Sequence, residues 1–196
     1  MSLVRDPRAI GVDSRAVVFV EGLSDHAALE ALAERRGRDL VAEGISIVSI
    51  GGATNIGHFL DRFGPRGLDI RVAGLCDAAE EGDFRRALER AGLRSNLTRL
   101  DMEELGFYVC ESDLEEELIR ALGTHSVKAI IEAQREGGAF RSFQRQPAQR
   151  GRPLDAQLHR FMGTLSGRKI RYGRLMVEAL DLSKVPRPLD LVLANV

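Results

Sequence analysis

The chain has 196 residues, 44% hydrophobic and 29% charged, with a formal net charge of −1; that length suffices for one domain with a full core, or one plus a small appendage. No apolar run approaches the roughly 18 residues of a membrane span, and the amino terminus lacks the basic-then-apolar layout of a signal peptide, so a cytoplasmic protein is expected. The small net charge conceals a division: Arg141 to Arg174 holds nine bases against one acid, Asp155, a balance of +8, while the remainder holds 19 bases and 28 acids, a balance of −9. Such segregation suggests a carboxylate-rich part for divalent cations and a basic part for phosphates. The plain alternative is a helical hairpin with a solvated basic face.

Met1 to Ser14 reads as a short lead-in. Ala16 to Val20 is an apolar run of the kind buried on both faces of a parallel sheet, ended by Glu21. Gly22 turns the backbone, Ser24 is the expected N-cap, and an amphipathic helix is predicted over 25–36, closed by Gly37. Glu21 and Asp25 then sit at the carboxyl end of a strand, where open α/β sheets place their ligands. Ile45 to Ile50 is β-branched and alternating, a second strand. Gly51 and Gly52 follow, either as a tight turn or as an anion-binding site of backbone N–H groups, and Asn55 is the expected cap of a helix over 56–63.

A third strand, Ile70 to Cys76, ends on Asp77, and a helix over 82–91 collects Phe84, Ala87, Leu88 and Ala91 on one face. Leu105 to Cys110 is the fourth strand. Cys76 and Cys110 each end an apolar run and are expected as buried free thiols, not a disulfide or zinc site. Glu111, Asp113, Glu115, Glu116 and Glu117 then place five carboxylates in seven residues. They repel unless solvent or cations intervene, although acids also favour a helix N-terminus and Ser112 or Asp113 can cap it. Beyond Gly123 the sequence predicts a helix over 126–135, an exposed loop from Gly137 through Pro153, helices over 154–165 and 173–180, and a turn at 185–189 into a final short helix. Alternating strands and helices predict an α/β fold, a mainly parallel sheet flanked by helices, with a C-terminal helical subdomain.

Val20-Glu21-Gly22-Leu23-Ser24-Asp25 resembles the first motif of the TOPRIM domain, the metal-binding fold of topoisomerases, primases and several nucleases. The Gly-Gly-x-x-Asn turn at 51–55 and Asp113-Leu114-Glu115 resemble the TOPRIM domains of OLD-family (overcoming lysogenization defect) nucleases, so that the likeness covers most of Arg15 to Leu122. It implies a metal-binding domain over 15–123 and a helical, basic subdomain over 124–196. One position departs from the pattern: Asp77-Ala78-Ala79-Glu80 stands where TOPRIM domains carry Asp-x-Asp, leaving Glu80, Glu81 or Asp83 to reach inward from the next turn.

The resemblance implies Mg²⁺ or Mn²⁺ held by Glu21 and Asp77 on one side and Asp25, Asp113 and Glu115 on or near the other. Glu21 is also a candidate general acid or base. Such hard cations take oxygen ligands, and phosphodiester cleavage commonly uses two of them about 3.5–4 Å apart. Gly167-Arg168-Lys169 and the following RLMVEAL loosely resemble the piece that carries a lysine toward the OLD metal site. Lys169 is therefore a candidate at the scissile phosphate, with Arg168, Arg171 and Arg174 as alternates and an ordinary surface lysine as the other reading. Arg141, Arg145, Arg150 and Arg152 complete the candidate nucleic-acid-binding set.

Competing chemistries fit less well. A topoisomerase needs a nucleophilic tyrosine, and Tyr108 and Tyr172 read as packing or surface residues. The four histidines lack zinc-ligand spacing, His26 reading as a helix-surface residue beside Asp25. No dinucleotide fingerprint supports a flavodoxin-like binder, and without a Walker A motif an ATPase partner is expected on a separate subunit. Two functions stay open: a divalent-metal-dependent nuclease or related phosphoryl-transfer enzyme, and a non-catalytic TOPRIM-like module binding nucleic acid, nucleotide or a partner protein. The expected partners are DNA or RNA, a separate ATPase subunit and a second copy of the chain, with no membrane.

Overall fold

β1 (Ala16–Val20) is buried along its whole length, as befits the centre of a parallel sheet covered on both faces. In the computed structural model, which describes residues 14–196, β1 pairs in parallel with β2 (Ile45–Ser49) and β3 (Arg71–Cys76), and β3 with β4 (Phe107–Val109). The order is β2-β1-β3-β4. The two-residue side-chain period sorts the core into two layers. Val17, Phe19, Val72, Phe107 and Val109 lie in one cluster, and Ala16, Val18, Val20, Ala73, Leu75 and Tyr108 in the other. At Gly74 a Cβ would come within 2.7 Å of the buried Phe107 ring, so β3 carries glycine where β4 lays an aromatic ring across it.

The first layer is closed by α2 (Ile56–Phe63) and α3 (Glu81–Arg90), whose Ile56, Leu60, Phe63, Phe84 and Leu88 are buried in it. α4 (Arg99–Glu104) precedes β4 and starts on a capping box in which Thr98 Oγ1 accepts the Asp101 N–H. The second layer is closed by α1 (Leu23–Arg35), α9 (Ser166–Ala179) and α10 (Arg187–Ala194). α5 (Leu114–Leu122), α6 (Thr124–Ala133), α7 (Gly137–Gln144) and α8 (Leu154–Met162) pack beside them. Val127, Phe161, Tyr172 and Val192 belong to the same cluster as Val18, so the helices beyond Gly123 share the core of the sheet.

Several local expectations are corrected. α1 begins at Leu23 with Gly22 as its N-cap, and Ser24 lies inside the helix. The carboxylate of Asp25 at N3 reaches back to accept the N–H of the N-cap Gly22 at 2.9 Å, the reciprocal bond of a capping box. The Asn55 amide caps no helix; it donates to the carbonyls of Ile50 (3.0 Å) and Gly51 (3.2 Å) and closes the turn. α4 was not predicted at all. The expected loop from Gly137 is a helix as far as Gln144 because Phe140 and Phe143, one turn apart, meet Phe161 at ring-centroid distances of 5.0 and 5.6 Å. α9 starts seven residues before the predicted Gly173, at Ser166, since packing against α1 outweighs the low helix propensity of Gly167 and Gly173. Cys76 and Cys110 are free and buried, as expected. The predicted lead-in lies outside the described residues except for Ser14.

Candidate metal centre

The strand order reverses between β1 and β3, so their carboxyl ends flank the crevice where α/β sheets bind ligands. Glu21 directly follows β1 and Asp77 directly follows β3. The Glu21 backbone is held: its carbonyl accepts N–H groups from Gly51 (3.1 Å) and Gly52 (3.3 Å) and the Ser49 hydroxyl (3.3 Å). Gly51 and Gly52 reach it with φ of 68° and 116°, conformations that favour glycine. These N–H groups therefore point at a carbonyl, which corrects the expectation of an anion site there. Across the crevice the Ala78 N–H donates to Ser112 O at 3.0 Å, tying the turn after β3 to the loop that carries Asp113.

Among the described residues two groups of candidate ligand atoms form, each within a mutual distance of 4.8 Å: Glu21, Asp77 and Glu80, and Asp113, Glu115 and His159. Of the three acids considered after Asp77, Glu80 turns inward. Glu81 accepts from Arg99 Nε at 3.1 Å, and Asp83 pairs with Arg86. The acidic run at the start of α5 divides its labour. Asp113 caps the helix, its Oδ1 accepting the Glu116 N–H at 2.8 Å, and its Oδ2 lies 2.6 Å from His159 Nε2. Glu117 Oε1 accepts the Glu111 N–H at 2.9 Å. Glu115, 2% exposed, turns into the site. One carboxylate oxygen each of Glu21 and Glu80, and both of Glu115, are buried without a hydrogen-bond partner among the described residues, and Lys169 Nζ stands 3.1 Å from Glu115 Oε2 as an ion pair.

Unbalanced carboxylates in a half-buried crevice resist ionisation. Burial, with the charge of Glu115 next, pushes Asp25 up to about 7. Burial together with Asp25 and Asp113 pushes Asp77 up to about 8. Glu21 is raised by burial and by Glu80. Asp113 goes the other way: burial opposes its charge, but the His159 hydrogen bond and the Glu116 N–H outweigh it. His159 is raised in turn by its hydrogen bond to Asp113. Burial works against the Lys169 ammonium, yet Glu115 holds it above the ordinary value. A divalent cation removes the repulsion at its source, and the donor set of hard carboxylate oxygens fits one.

Lys169 arrives through close helix packing. A Cβ on Gly173, one turn further along α9, would meet the Ser24 carbonyl oxygen at 3.0 Å, so glycine brings α9 onto α1, with Lys169 on the same face. An open cleft of about 660 Å³ is lined by Asp113, Glu115, His159, Arg160 and Lys169 among others. A neighbouring cleft of about 470 Å³ shares His159 and Arg160 and adds Arg152. The basic residues separate into two kinds. Arg141 pairs with Glu132, Arg168 and Arg171 with Glu136, and Arg174 with Glu34 and Glu178. Among the described residues Arg145, Arg150 and Arg152 bond only to Ser142 or backbone carbonyls. Tyr172 is fully buried and donates to Glu136 Oε2 at 2.8 Å. Tyr108 is buried in β4. His26, expected on the surface, is 7% exposed with Nδ1 3.7 Å from Glu30.

Sequence reasoning missed His159. It lies 46 positions from Asp113, so no local spacing signals it.

Residues 14–78 match the family Overcoming lysogenization defect protein-like, TOPRIM domain. That stretch, about a third of the chain, is similar to an OLD-like TOPRIM domain. Its fold is similar to the C-terminal region of the Burkholderia pseudomallei OLD protein, at 24% identity and a TM-score of 0.69, covering 93% of this chain and 96% of that one. It is likewise similar to the C-terminal region of the Xanthomonas campestris pv. campestris OLD protein, at 23% identity and a TM-score of 0.72, covering 93% and 92% of the two chains. No curated protein matches the sequence. Where the TOPRIM pattern has its second aspartate, position 79 is alanine, and Glu80 lies with Glu21 and Asp77 in a group that could hold an ion. No helix among the described residues is long and apolar enough to cross a membrane.

Proposed function

We propose that this chain is a divalent-metal-dependent nuclease that hydrolyses nucleic-acid phosphodiesters. The observation that carries the reading is the pair of three-residue ligand groups at one sheet edge, with buried carboxylate oxygens left unpartnered. The OLD-like TOPRIM domain supports a nuclease-type family. Glu21, Asp77 and Glu80 would hold one cation, and Asp113 and Glu115, with Asp25 nearby, the other. When bound, such cations activate water, polarise the phosphoryl oxygens and stabilise the leaving oxygen. Lys169, 42% exposed at its side chain, is free to turn its ammonium toward a phosphate and offset developing negative charge. Arg145, Arg150 and Arg152, without carboxylate partners, hold the strand through its phosphates. DNA or RNA is the substrate, and an ATPase on a separate subunit and a second copy of the chain are the proposed partners.

A non-catalytic TOPRIM-like module is the second reading, favoured by Ala79 at the position of the second aspartate. The test is metal titration with Mg²⁺ and Mn²⁺ followed by incubation with supercoiled plasmid, single-stranded DNA and RNA, wild type beside Glu21→Ala. Cleavage that needs metal and vanishes in the variant is the expected result. Metal-independent binding without cleavage in both proteins would establish the second reading.

A further inference from the structure

The two ligand groups differ in chemistry. Glu21, Asp77 and Glu80 offer oxygen alone, whereas Asp113 and Glu115 are joined by an imidazole from α8. His159 Nε2 lies 2.6 Å from Asp113 Oδ2. Neighbouring ligands at about 2.1 Å from one cation stand about 3 Å apart, so a small opening of this contact admits an ion between them. Glu115 supplies the independent sign that something belongs there. It is 2% exposed, it converges on the same point, and its Oε1 has no partner. A buried anionic oxygen left unsatisfied is costly enough that native proteins rarely keep one without a ligand. Lys169 approaches the other oxygen, Oε2. The cleft in front stays open, leaving room for water and a phosphate.

We propose that His159 is a nitrogen ligand of the second cation, so that the Asp113–Glu115–His159 centre takes a transition-metal ion such as Mn²⁺ in preference to Mg²⁺. The all-oxygen group at Glu21 carries no such preference. The physical basis is ligand softness: imidazole binds first-row transition ions well and Mg²⁺ poorly, while carboxylates accept both. The assignment rests on the metal-dependent reading above and refines it, and it gives His159 a role its sequence context did not signal.

The test is spectroscopic. Metal-stripped protein is loaded with Mn²⁺, and pulsed electron paramagnetic resonance reads ¹⁴N modulation from a directly bound imidazole. The modulation is expected in wild type and is replaced by the ¹⁵N pattern when histidine is isotopically labelled, a comparison that needs no variant. His159→Gln, checked for cooperative unfolding, is expected to remove the signal and weaken Mn²⁺ binding about tenfold by calorimetry while changing Mg²⁺ binding less than about twofold. Bound Mn²⁺ without nitrogen coupling, or coupling that survives His159→Gln, overturns the assignment and leaves the nuclease reading standing. Failure to bind Mn²⁺ at all overturns both.

Discussion

Asp25→Asn tests whether the site is electrostatically frustrated without its cations. Asp25 is 9% exposed, and burial with the charge of Glu115 raises it from 3.8 to about 7. A group raised in the folded state contributes stability that is fully present below its unfolded value and is lost as pH rises through the folded one. Metal-free protein should therefore weaken as pH climbs from about 4 to about 7. At about 1.4 kcal/mol per tenfold change, the displacement corresponds to about 4 kcal/mol as an upper bound. Burial is the largest cause and the charges of Glu115 and Glu21 add to it, so an uncharged asparagine should recover part of that bound, about 2 kcal/mol. Asparagine keeps an oxygen for the Gly22 N–H. In EDTA at about pH 8, Asp25→Asn should melt about 4–8 °C above wild type, and the difference should vanish near pH 4. Saturating Mg²⁺ should stabilise wild type by about 2–3 kcal/mol at a hundredfold excess over its dissociation constant and the variant by less. A variant less stable than wild type in EDTA at about pH 8, or a gap that ignores pH, would refute the argument.

Four further perturbations probe other parts. Gly74→Ala drives a methyl group to within 2.7 Å of the Phe107 ring and should cost about 1–3 kcal/mol in urea unfolding; a neutral result would mean that the ring yields. Lys169→Met leaves Glu115, with 3% of its side chain exposed, facing no cation, and should lower metal-free stability by about 1–2 kcal/mol and cleavage about a hundredfold. Unchanged cleavage would make it an ordinary surface lysine. Arg145→Ala, Arg150→Ala and Arg152→Ala combined should flatten the salt dependence of nucleic-acid binding by about 2–3 in log–log slope. Arg174→Ala, whose guanidinium is engaged by Glu34 and Glu178, should leave that slope unchanged; equal effects would reject the division between paired and unpaired arginines.

The four strands, α1 to α3 and the final helix were legible because each carries its own period or punctuation. The Val-Val-Phe-Val run before Glu21 and the Phe84, Ala87, Leu88 face are examples. α4 went unread despite its capping box, whereas α7 and the first half of α9 escaped reading because their stability is tertiary. α7 opens on two glycines and shows only Phe140 and Phe143 to the core, and α9 contains Gly167 and Gly173, so neither has the local propensity that a pattern reveals. The glycine pair after β2 left a tight turn and an anion site both open, since where its N–H groups point is not written in the pair; Glu21 O claims both.

The sequence alone determined the parallel α/β class and put Glu21, Asp77 and the Asp113–Glu115 pair at strand ends, since hydrophobic period and strand punctuation are local properties. Only the tertiary structure decided which acids converge. Glu80, and neither Glu81 nor Asp83, turns in after β3, and His159 and Lys169 come to the site from helices 46 and 54 positions beyond Asp113 and Glu115 respectively. Those arrivals depend on α8 packing against α5 and on α9 lying against α1, contacts between distant segments that chain spacing does not encode.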